Sequence, residues 1–451
     1  MGSKYKVTIS IPDKAGHILK TLQAAGFEAY VVGGCVRDSL LGREPKDWDI
    51  TTSARPEQVK ALFPRTVDTG LKHGTVTVLQ DGEGFEVTTY RIDGKYEDGR
   101  HPSEVTFTPS LEEDLLRRDF TINAMAYNDE AGLVDFWGGR QDMRIGVIRC
   151  VGNPEDRLRE DALRILRAVR FAAQLRYHID AYTMTAARRQ APNLSRISAE
   201  RIQAELVKIL LSDHPDYLRG AYSMGITKVI LPELDRAMET QQNHPHHIYS
   251  VGEHILRSMK AVEPDKVLRL TMLLHDIGKP DTLTVDRRGI THFHGHAKAG
   301  AEMAREILHR LKFDNATINM VYRLVLYHDY GNDAEPTPRA VRRAVNKVGE
   351  DVFPLLFPIK YADISAQSDY MLKQKLERLK KWEQLYQEMC ERQECVTLKD
   401  LAVTGSDLIA AGMEPGKELG EVLQKLLQLV LDRPSWNTKE KLLAEAEKLM
   451  N

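Results

Sequence analysis

Two hydropathy patterns divide the chain. Up to about residue 145, short runs of β-branched and aromatic residues alternate with turns that contain glycine, aspartate or proline, which is typical of β-strands. The runs are EAYVVGG, GTVTVLQ, FEVTTYR, EVTFTP and GLVDFWGG. Beyond residue 145, apolar residues recur with the period of an α-helix. Strands followed by helices predict an α+β head with a small mixed sheet and an all-α remainder.

Two later segments differ from their helical surroundings. DTLTVDRRGITHFHGH has the alternation of a β-hairpin inserted among helices. KQKLERLKKWEQLYQEMCERQEC is highly charged, but its amphipathic period favours a connecting helix over a disordered linker. These features predict a head at 1–145, a helical neck at 146–240, a body at 241–370 and a helical tail at 371–451.

Composition narrows the function classes. The 451 residues include 63 Lys plus Arg and 65 Asp plus Glu, so the formal charge of −2 excludes an overall basic coat and requires any nucleic-acid surface to be a local patch. Four cysteines argue against a disulfide scaffold. The chain shows neither a signal-peptide core nor the ~18-residue apolar run of a membrane span, so we expect a cytoplasmic protein without membrane contact.

The segment VVGGCVRDSLLGREPKDWDITTSARP carries the first candidate chemistry. Gly33 and Gly34 follow an apolar strand and precede a helix, so backbone N–H groups and the helix N-terminus can approach a phosphate, with Arg37 one turn further on. In Asp47-Trp48-Asp49, alternation along a strand places both carboxylates on one face. Two carboxylates beside a phosphate suit Mg²⁺ and two-metal nucleotidyl transfer.

Each of these features also has an ordinary explanation. A Gly-Gly pair is commonly a turn, and an Asp-x-Asp is commonly solvated. Their order along the chain favours the functional interpretation. Glu86, in FEVTTYR, is a candidate third carboxylate for the same metals, and an ordinary strand-face glutamate is an equally good interpretation.

These motifs resemble a known family. GGCVRD, KDWDI and RRDFTINAMAY together are similar to the class II tRNA nucleotidyltransferases, the bacterial CCA-adding enzymes of the polymerase-β-like superfamily. The resemblance covers about residues 20–210 and returns near GSDLIAAGMEPGKELG. It implies a polymerase-β-like head that acts on tRNA with CTP and ATP.

A second candidate site lies in EDALRILRAVRFAAQL, which predicts one amphipathic helix over residues 160–175. Asp161 accepts and Arg164 donates hydrogen bonds within one turn, so the pair could stand in for a base opposite C or A. A plain surface ion pair is the alternative. The resemblance favours the first interpretation, because Glu160, Asp161 and Arg164 form the family's nucleotide-selecting motif.

The resemblance also implies individual roles. It assigns Asp47 and Asp49 to the metal ions. It assigns to the incoming nucleotide Gly34, Arg37, Arg118, Asp161, Arg164, Arg167 and Arg170. Residues 91–119 resemble the family's flexible loop at full length, and LKHGTVTV (71–78) differs from the poly(A)-adding relatives. Both points favour CCA addition, although an A-only enzyme remains open.

A third pattern lies in the middle of the chain, where histidines and aspartates recur at the spacing of helical hairpins. Imidazole and carboxylate ligands suit a transition metal or Mg²⁺. Over about residues 245–370 this order resembles the HD superfamily of metal phosphohydrolases. The resemblance implies one metal on His254, His275, Asp276 and Asp363, and a second on His296 and His328. Chance clustering of histidines is the alternative, and such domains also occur in degraded form.

Partners follow from the same resemblance. The family holds the tRNA acceptor arm through shape and phosphate contacts. Candidate contacts are Arg188, Arg189, Arg196, Arg201, Lys425 and Lys439. Two other functions stay open at this point: an HD-type phosphohydrolase with an RNA-binding head, and a non-catalytic tRNA-binding protein, against which the intact acidic and E-D-x-x-R motifs argue.

Overall fold

The computed structural model describes residues 7–94, 105–331 and 335–450. These residues form two compact units that divide after Pro232. Residues 95–104, in the middle of the segment that resembles the flexible loop, lie outside the described part. The four domain boundaries expected from the sequence remain predictions.

The strands of the first unit are short. They are β1 (Ala29–Val32), β2 (Ile50–Thr52), β3 (Thr66–Gly70), β4 (Thr75–Gln80), β5 (Glu83–Thr89), β6 (Arg91–Asp93), β7 (Val105–Phe107), β8 (Ala126–Asn128), β9 (Gly132–Val134), β10 (Val147–Ile148) and β11 (His178–Ile179). All five predicted runs contain a strand, and β2 follows directly on the strand predicted at residues 47–49. The strands β3, β8, β10 and β11 had no prediction, because each is only two to five residues long, too short for a clear alternation.

Seven strands form one mixed sheet in the order β3-β4-β5-β2-β1-β8-β9. The β2–β5 pair is parallel, with Ile50 opposite Val87, and its neighbours are antiparallel. One face of the sheet packs against a core that includes Ile18, Leu22 and Val59. The opposite face carries a second core, which includes Val32, Tyr90 and Ala126, and the first candidate site lies on this face beside β2 and β5.

The helices of the first unit surround this sheet and continue beyond it. They are α1 (Asp13–Ala24), α2 (Gly34–Leu40), α3 (Pro56–Leu62), α4 (Leu111–Leu116), α5 (Gly139–Ile145), α6 (Pro154–Glu160), α7 (Leu163–Leu175), α8 (Ala181–Gln190), α9 (Ala199–Leu210), α10 (Leu218–Ser223) and α11 (Thr227–Ile230). α7 and α9 pack together through apolar faces that include Leu166 and Leu206.

The prediction of a single helix over residues 160–175 was wrong. α6 ends at Glu160, and Asp161 has an extended backbone (φ −140°, ψ 103°) before α7 begins at Leu163. Asp161 instead uses its carboxylate to accept the N–H of Leu163 at 3.0 Å, as a residue ahead of a helix start does. This local hydrogen bond between a side chain and the backbone therefore competes successfully with the continuous helix that the spacing of apolar residues predicts.

The second unit is helical apart from one hairpin. Its elements are α12 (Pro232–Glu239), which the division crosses, α13 (Val251–Ala261), α14 (Lys266–Leu274), α15 (Lys279–Thr282), β12 (Thr284–Val285), β13 (Thr291–His292), α16 (His296–Arg310), α17 (Asn315–Tyr327), α18 (Pro338–Val348), α19 (Leu356–Ser365), α20 (Leu372–Glu391), α21 (Gly405–Ala410), α22 (Lys417–Asp432) and α23 (Lys439–Met450). β12 and β13 confirm the predicted hairpin.

The segment predicted as a connecting helix is α20, which is part of the second unit's core. Leu379, Trp382, Leu385 and Met389 are buried on one side of it, and α20 packs against α18 and α19. Its charged residues cover the opposite, exposed face, as the amphipathic period indicates. None of the described helices has the length and apolar character that a membrane crossing requires.

Candidate functional site

The glycine turn of the first unit joins β1 to α2. Gly33 has a φ of 82°, which favours glycine, and a Cβ there would lie 3.0 Å from Arg118 Nη1. The Gly33 N–H donates to the Met125 carbonyl at 3.1 Å. The turn therefore brings the backbone at Gly33 directly against an arginine side chain, a combination suited to an anion.

Asp47 and Asp49 lie in the extended segment immediately before β2, not inside the strand. The Asp49 carbonyl accepts the N–H of Val32 at 3.0 Å. Trp48, between them, packs against the core of the sheet, while both aspartates are exposed. The alternation expected of a strand thus holds in this segment, and both carboxylates lie on the side away from the core.

Glu86 joins them through the parallel pairing of β2 and β5. Ile50 lies opposite Val87, so the residues immediately before them, Asp49 and Glu86, are neighbours on the face away from the core. Asp47, Asp49 and Glu86 are called the carboxylate cluster from here on. Glu86 is 37 residues later in the chain than Asp49, so the pairing of the two strands is what brings it to the aspartates.

The members of the carboxylate cluster repel one another. Reduced hydration, and then the charges of Asp49 and Asp47, raise the pKa of Glu86. Reduced hydration also raises the pKa of Asp49, with a further increase from Asp47 and a decrease from Arg118. Like charges gathered in this way are stabilised by a cation between them.

Arg118 is the nearest fixed cation. Its side chain is mostly buried and lies 3.9 Å from the Asp114 carboxylate, too far for a hydrogen bond. Within the described residues its Nε is buried without a hydrogen-bond partner. A guanidinium held this loosely, beside the Gly33 turn and Asp49, retains donors for a ligand.

Arg37 and Arg167 are held by one connected network. Arg37 Nη1 donates to Asn123 Oδ1 at 2.7 Å, and Asn123 Nδ2 donates to Asp119 Oδ1 at 3.0 Å. Asp119 Oδ2 accepts Arg167 Nε at 2.7 Å. Burial would raise the pKa of Asp119, but Arg167 and Asn123 outweigh it and hold the pKa below its usual range. Two side chains of the RRDFTIN motif, Asn123 and Asp119, thereby orient two of the predicted nucleotide contacts.

Phe171 supports three arginines at once. The guanidinium carbons of Arg37, Arg167 and Arg170 lie 5.0, 5.4 and 4.1 Å from its ring centroid. An aromatic face attracts such cations at these distances. Arg170 also forms a buried ion pair with Glu205, with Arg170 Nη1 and Glu205 Oε1 2.9 Å apart. Sequence reasoning missed both Phe171 and Glu205, because a buried Phe and a helical Glu carry no local signal.

Asp161 and Arg164 have separate partners. Arg201 holds Asp161 through two bonds, of 2.7 and 3.3 Å. Arg164 donates to Glu160 Oε2 at 2.5 Å and to the carbonyls of Arg157 and Arg117 at 2.9 and 3.1 Å. If Arg201 contacts tRNA, as predicted from the sequence, the tRNA must share its guanidinium with Asp161.

The other predicted tRNA contacts are on the surface. Arg189 pairs with Glu155 at 3.2 Å, and Lys439 pairs with Asp407 at 2.5 Å. The remaining three are exposed: Arg188, Arg196 and Lys425.

In the second unit the structure brings together all six predicted metal ligands. The histidine–aspartate cluster consists of His254, His275, Asp276, His296, His328 and Asp363. Two groups in it, His254 with His275 and Asp276, and Asp276 with His296 and His328, each place ligand atoms within 4.8 Å of one another. Asp276 belongs to both groups and so lies between two candidate metal positions. The Nε2 atoms of His254 and His275 are 3.3 Å apart, as are those of His296 and His328.

The four imidazoles are oriented by the same device. In each ring Nδ1 lies within hydrogen-bonding distance of a backbone carbonyl, at 3.2 Å for His254, 2.8 Å for His275, 2.9 Å for His296 and 2.7 Å for His328. A proton on Nδ1 leaves Nε2 as a lone-pair donor toward the centre. Nδ1–carbonyl contacts are the usual support of metal-binding histidines, so this geometry argues against chance clustering.

The surroundings of both aspartates in the cluster favour the carboxylate form. Burial would raise the pKa of Asp276, but Lys279, 2.7 Å away, and His275 hold it well below its usual range. Asp363 lies 2.8 Å from His254 Nε2, and His254 and His275 likewise keep its pKa low. The site therefore presents four ring nitrogens and two carboxylates, a ligand set for divalent metals.

A histidine-rich loop, NHPHHIY (243–249), borders the cluster. Within it, His247 packs edge to face against His254, with ring centroids 5.5 Å apart. His292 and His294 stack on the hairpin. All four cysteines are free thiols.

Three segments of the chain match the models of known protein families. Residues 29–149 match the "Poly A polymerase head domain", and residues 176–238 match the "Probable RNA and SrmB- binding site of polymerase A". Residues 282–446 match "tRNA nucleotidyltransferase domain 2 putative". A polymerase-type head with a mixed sheet, followed by helices, defines a nucleotidyltransferase of the polymerase-β superfamily.

Individual relatives are more specific. A protein of Lactobacillus helveticus (strain DPC 4571) named "CCA-adding enzyme" is 35% identical over 430 residues, which cover 93% of this chain and 94% of that protein. The crystal structure of the Bacillus stearothermophilus CCA-adding enzyme in complex with CTP has a TM-score of 0.71 at 30% identity, covering 97% of this chain and 96% of that one. A Thermotoga maritima CCA-adding enzyme shares the fold, with a TM-score of 0.63 at 23% identity over 99% of this chain and 97% of that one. The chain belongs to the CCA-adding enzyme family.

The Arg170–Glu205 pair generates a stability prediction. Glu205→Ala leaves the Arg170 guanidinium buried with its main counter-charge removed, which is expected to lower the free energy of unfolding by about 3–5 kcal/mol. Denaturant unfolding followed by circular dichroism measures the change. Lys208→Ala is the matched control, because its exposed ammonium lies 3.6 Å from the same carboxylate. Equal losses in the two variants would contradict the assignment.

Proposed function

We propose that the chain adds C, C and A to the 3′ end of tRNA from CTP and ATP, with metal ions held by the carboxylate cluster and the base chosen by Asp161 and Arg164. Family membership supports the overall reaction. The gathering of Asp47, Asp49 and Glu86 beside the Gly33 turn and Arg118 is the observation that carries the mechanism.

The carboxylate cluster fits divalent cations. Its ligands are carboxylate oxygens, which Mg²⁺ prefers, and the mutual repulsion that raises the pKa of Glu86 would be relieved by such an ion. Asp47 and Asp49 would hold the ions, with Glu86 as a further ligand. Mg²⁺ bound there supplies activation of the tRNA 3′-hydroxyl and charge stabilisation at the phosphates.

The chain's own residues would hold the triphosphate. The 3′-oxygen forms a bond to the α-phosphorus while the bond to the bridging oxygen breaks, and pyrophosphate leaves. Arg118 and the backbone N–H of Gly34 would bind phosphate oxygens, with Arg37 adding charge from α2. Arg167 and Arg170 would complete the positive wall that Phe171 supports.

Base choice would depend on bonds that precede nucleotide binding. Arg201 occupies one side of the Asp161 carboxylate, and Glu160 with two carbonyls fixes Arg164. A carboxylate accepts about four hydrogen bonds and a guanidinium donates five, so each side chain keeps capacity for a base. Rigid placement lets the pair distinguish C and A from G and U.

The first prediction concerns catalysis. Asp47→Ala and Asp49→Ala are each expected to lower CTP and ATP incorporation by at least about 10³-fold, because a metal ligand is lost. Labelled-nucleotide incorporation into tRNA ending in N, NC or NCC measures the effect and also separates CCA addition from A-only addition. Asp68→Ala, an exposed aspartate on β3 paired with Lys60, is the control. Full activity of Asp47→Ala would refute the metal assignment.

The second prediction concerns selectivity. Arg164→Ala is expected to reduce the preference of C over U, and of A over G, by about tenfold or more, because one partner of the base is removed. Tests on tRNA ending in N and in NCC with each of the four triphosphates measure it, alongside tRNA binding. The control is Arg159→Ala, an exposed arginine paired with Asp156. Unchanged selectivity with weakened tRNA binding would count against the template.

The histidine–aspartate cluster supports a second activity, an HD-type metal phosphohydrolase. The convergence of four Nε2 atoms on Asp276 and Asp363 is the observation that favours it. The residues fit two divalent metals that share Asp276, and such metals, when bound, supply an activated water for attack on a phosphate ester. Lys279 would keep Asp276 ionised and ready to bind.

Metal binding tests this second site. Loss of a hydrogen bond that supports a metal ligand typically weakens metal binding by about 10–100-fold. His275→Ala removes a direct ligand, so it is expected to weaken Mn²⁺ binding by more than this. Equilibrium dialysis with elemental analysis measures the affinity. His309→Ala, an exposed histidine of α16, serves as the control, and equal affinities in the two variants would refute the site.

A further inference from the structure

The carboxylate of Asp161 is held from two directions. Its Oδ1 accepts the backbone N–H of Leu163 at 3.0 Å and Arg201 Nη1 at 3.3 Å, and its Oδ2 accepts Arg201 Nη2 at 2.7 Å. The two Arg201 bonds lie side by side on the two carboxylate oxygens, which is the bidentate geometry that an arginine forms with a carboxylate. Rotation of the carboxylate therefore breaks at least one of these three bonds.

Arg201 is presented by a helix that is itself fixed by packing. It lies in the first turn of α9, where its backbone N–H donates to the Ser198 carbonyl at 3.1 Å. The next residue, Ile202, and Leu206 one turn later are buried, and α9 packs against α7, the helix that Asp161 precedes. The side chains of Arg201 and Asp161 are only 21% and 14% exposed. Salt and water therefore screen this ion pair less than a pair on the surface.

Three donors leave the Asp161 carboxylate with one further acceptor position. A carboxylate accepts about four hydrogen bonds. Within the part of the chain that the structure describes, Leu163 and Arg201 provide two donors to Oδ1 and one to Oδ2. The position that remains lies on Oδ2, and its direction is fixed because the other three bonds fix the group. The exocyclic amine of C or A can donate there, whereas U and G carry a carbonyl oxygen that is itself an acceptor and is repelled.

Rejection of U and G depends on this fixed direction more than acceptance of C and A does. A carboxylate that is free to rotate can turn its oxygens away from an opposing carbonyl, so the repulsion is lost, and Arg164 can still donate to that carbonyl. An amine, in contrast, can follow one of the oxygens through a small rotation. Loss of orientation at Asp161 is therefore expected to admit wrong bases more than it slows correct ones.

We propose that Arg201 is a positioning residue for base selection, because its guanidinium fixes the Asp161 carboxylate in the direction that accepts an amine and repels a carbonyl. The proposal rests on base choice by Asp161 and Arg164, as proposed above. Arg201 then acts on the nucleotide through Asp161 rather than as a phosphate contact of tRNA, since two of its donors are bound to the carboxylate. A lysine would keep the positive charge, but its single ammonium group cannot reproduce the planar fork.

Substitution of Arg201 tests this role. Arg201→Ala is expected to lower the preference for C over U, and for A over G, about tenfold, because a small misplacement of a group that contacts the reacting nucleotide is costly. Arg201→Lys is expected to lower it roughly threefold or more, because the fork is lost. Ratios of kcat/KM for the four triphosphates, on tRNA ending in N and in NCC, measure the preference. Arg159→Lys, an exposed arginine paired with Asp156, is the matched control, and thermal melting verifies that each variant folds.

The affinity for tRNA separates this role from a phosphate contact. If Arg201 bound a phosphate, Arg201→Ala would weaken tRNA binding and would lower the salt dependence of the association constant by about one phosphate contact, whereas Arg201→Lys would retain most of both. The proposal predicts the wild-type salt dependence in both variants. Fluorescence anisotropy with labelled tRNA, over a series of salt concentrations, measures it. A lower salt dependence together with unchanged selectivity would overturn the proposal.

A double-mutant cycle shows whether Arg201 acts through Asp161. In the Asp161→Ala background there is no carboxylate to orient, so Arg201→Ala is expected to have no further effect on selectivity. Losses that simply add in the double variant would contradict the positioning role.

Asp161→Ala alone tests the function on which the proposal rests. Unchanged selectivity in this variant would refute the template, and the positioning role with it. Reduced selectivity in Asp161→Ala, beside wild-type selectivity in Arg201→Ala and Arg201→Lys, would refute the role of Arg201 and leave the template standing.

Discussion

Repulsion among Asp47, Asp49 and Glu86 is the constraint on which the organisation of the first unit depends. The parallel pairing of β2 and β5 places Asp49 and Glu86 side by side on the sheet face opposite the core of Ile18, Leu22 and Val59. Reduced hydration, together with the charge of a neighbouring aspartate, raises the pKa of both Asp49 and Glu86, so the arrangement costs free energy in the absence of a cation. A cation with a phosphate ligand, as proposed above, would offset that cost.

The surrounding arginines show how the same unit keeps cations ready for an anion. Asn123 and Asp119 link Arg37 to Arg167, and Phe171 lies against three guanidinium groups. Arg118, by contrast, is held by a longer ion pair, with its guanidinium 3.9 Å from the Asp114 carboxylate. Cations fixed by a network can orient a triphosphate without reorganisation, which is how preorganised electrostatics favours a charged transition state.

The second unit also gathers carboxylates, but it compensates their charge with its own side chains. Its aspartates are buried, where an unpaired carboxylate would be costly, and Lys279 and the histidines compensate them. The imidazoles in turn are fixed through Nδ1 by four backbone carbonyls. This cluster is therefore stable as a closed ligand set, whereas the carboxylate cluster of the first unit is exposed to an incoming substrate.

Local patterns predicted those parts of the fold that depend on neighbours in sequence. The alternation around Trp48 placed Asp47 and Asp49 on one side, and the hairpin at β12 and β13 followed from its turn. Contacts between residues far apart in the sequence could not be predicted from local patterns. Glu86 lies beside the aspartates because β2 pairs with β5, and Arg201 binds Asp161 from a position 40 residues later in the chain.

The break at Asp161 was missed for a related reason. A period of apolar residues continues across it, and only the bond from the Leu163 N–H to the Asp161 carboxylate ends the helix.

The central claim is that Asp47 and Asp49 hold divalent cations against the phosphates of an incoming nucleotide. Anomalous scattering from crystals grown with Mn²⁺ and a non-hydrolysable CTP analogue tests it most directly. The account predicts manganese peaks bonded to both aspartate carboxylates, with the triphosphate beside Gly33 and Arg118. A nucleotide bound elsewhere, or a triphosphate at the turn with no metal on residues 47 and 49, would contradict it.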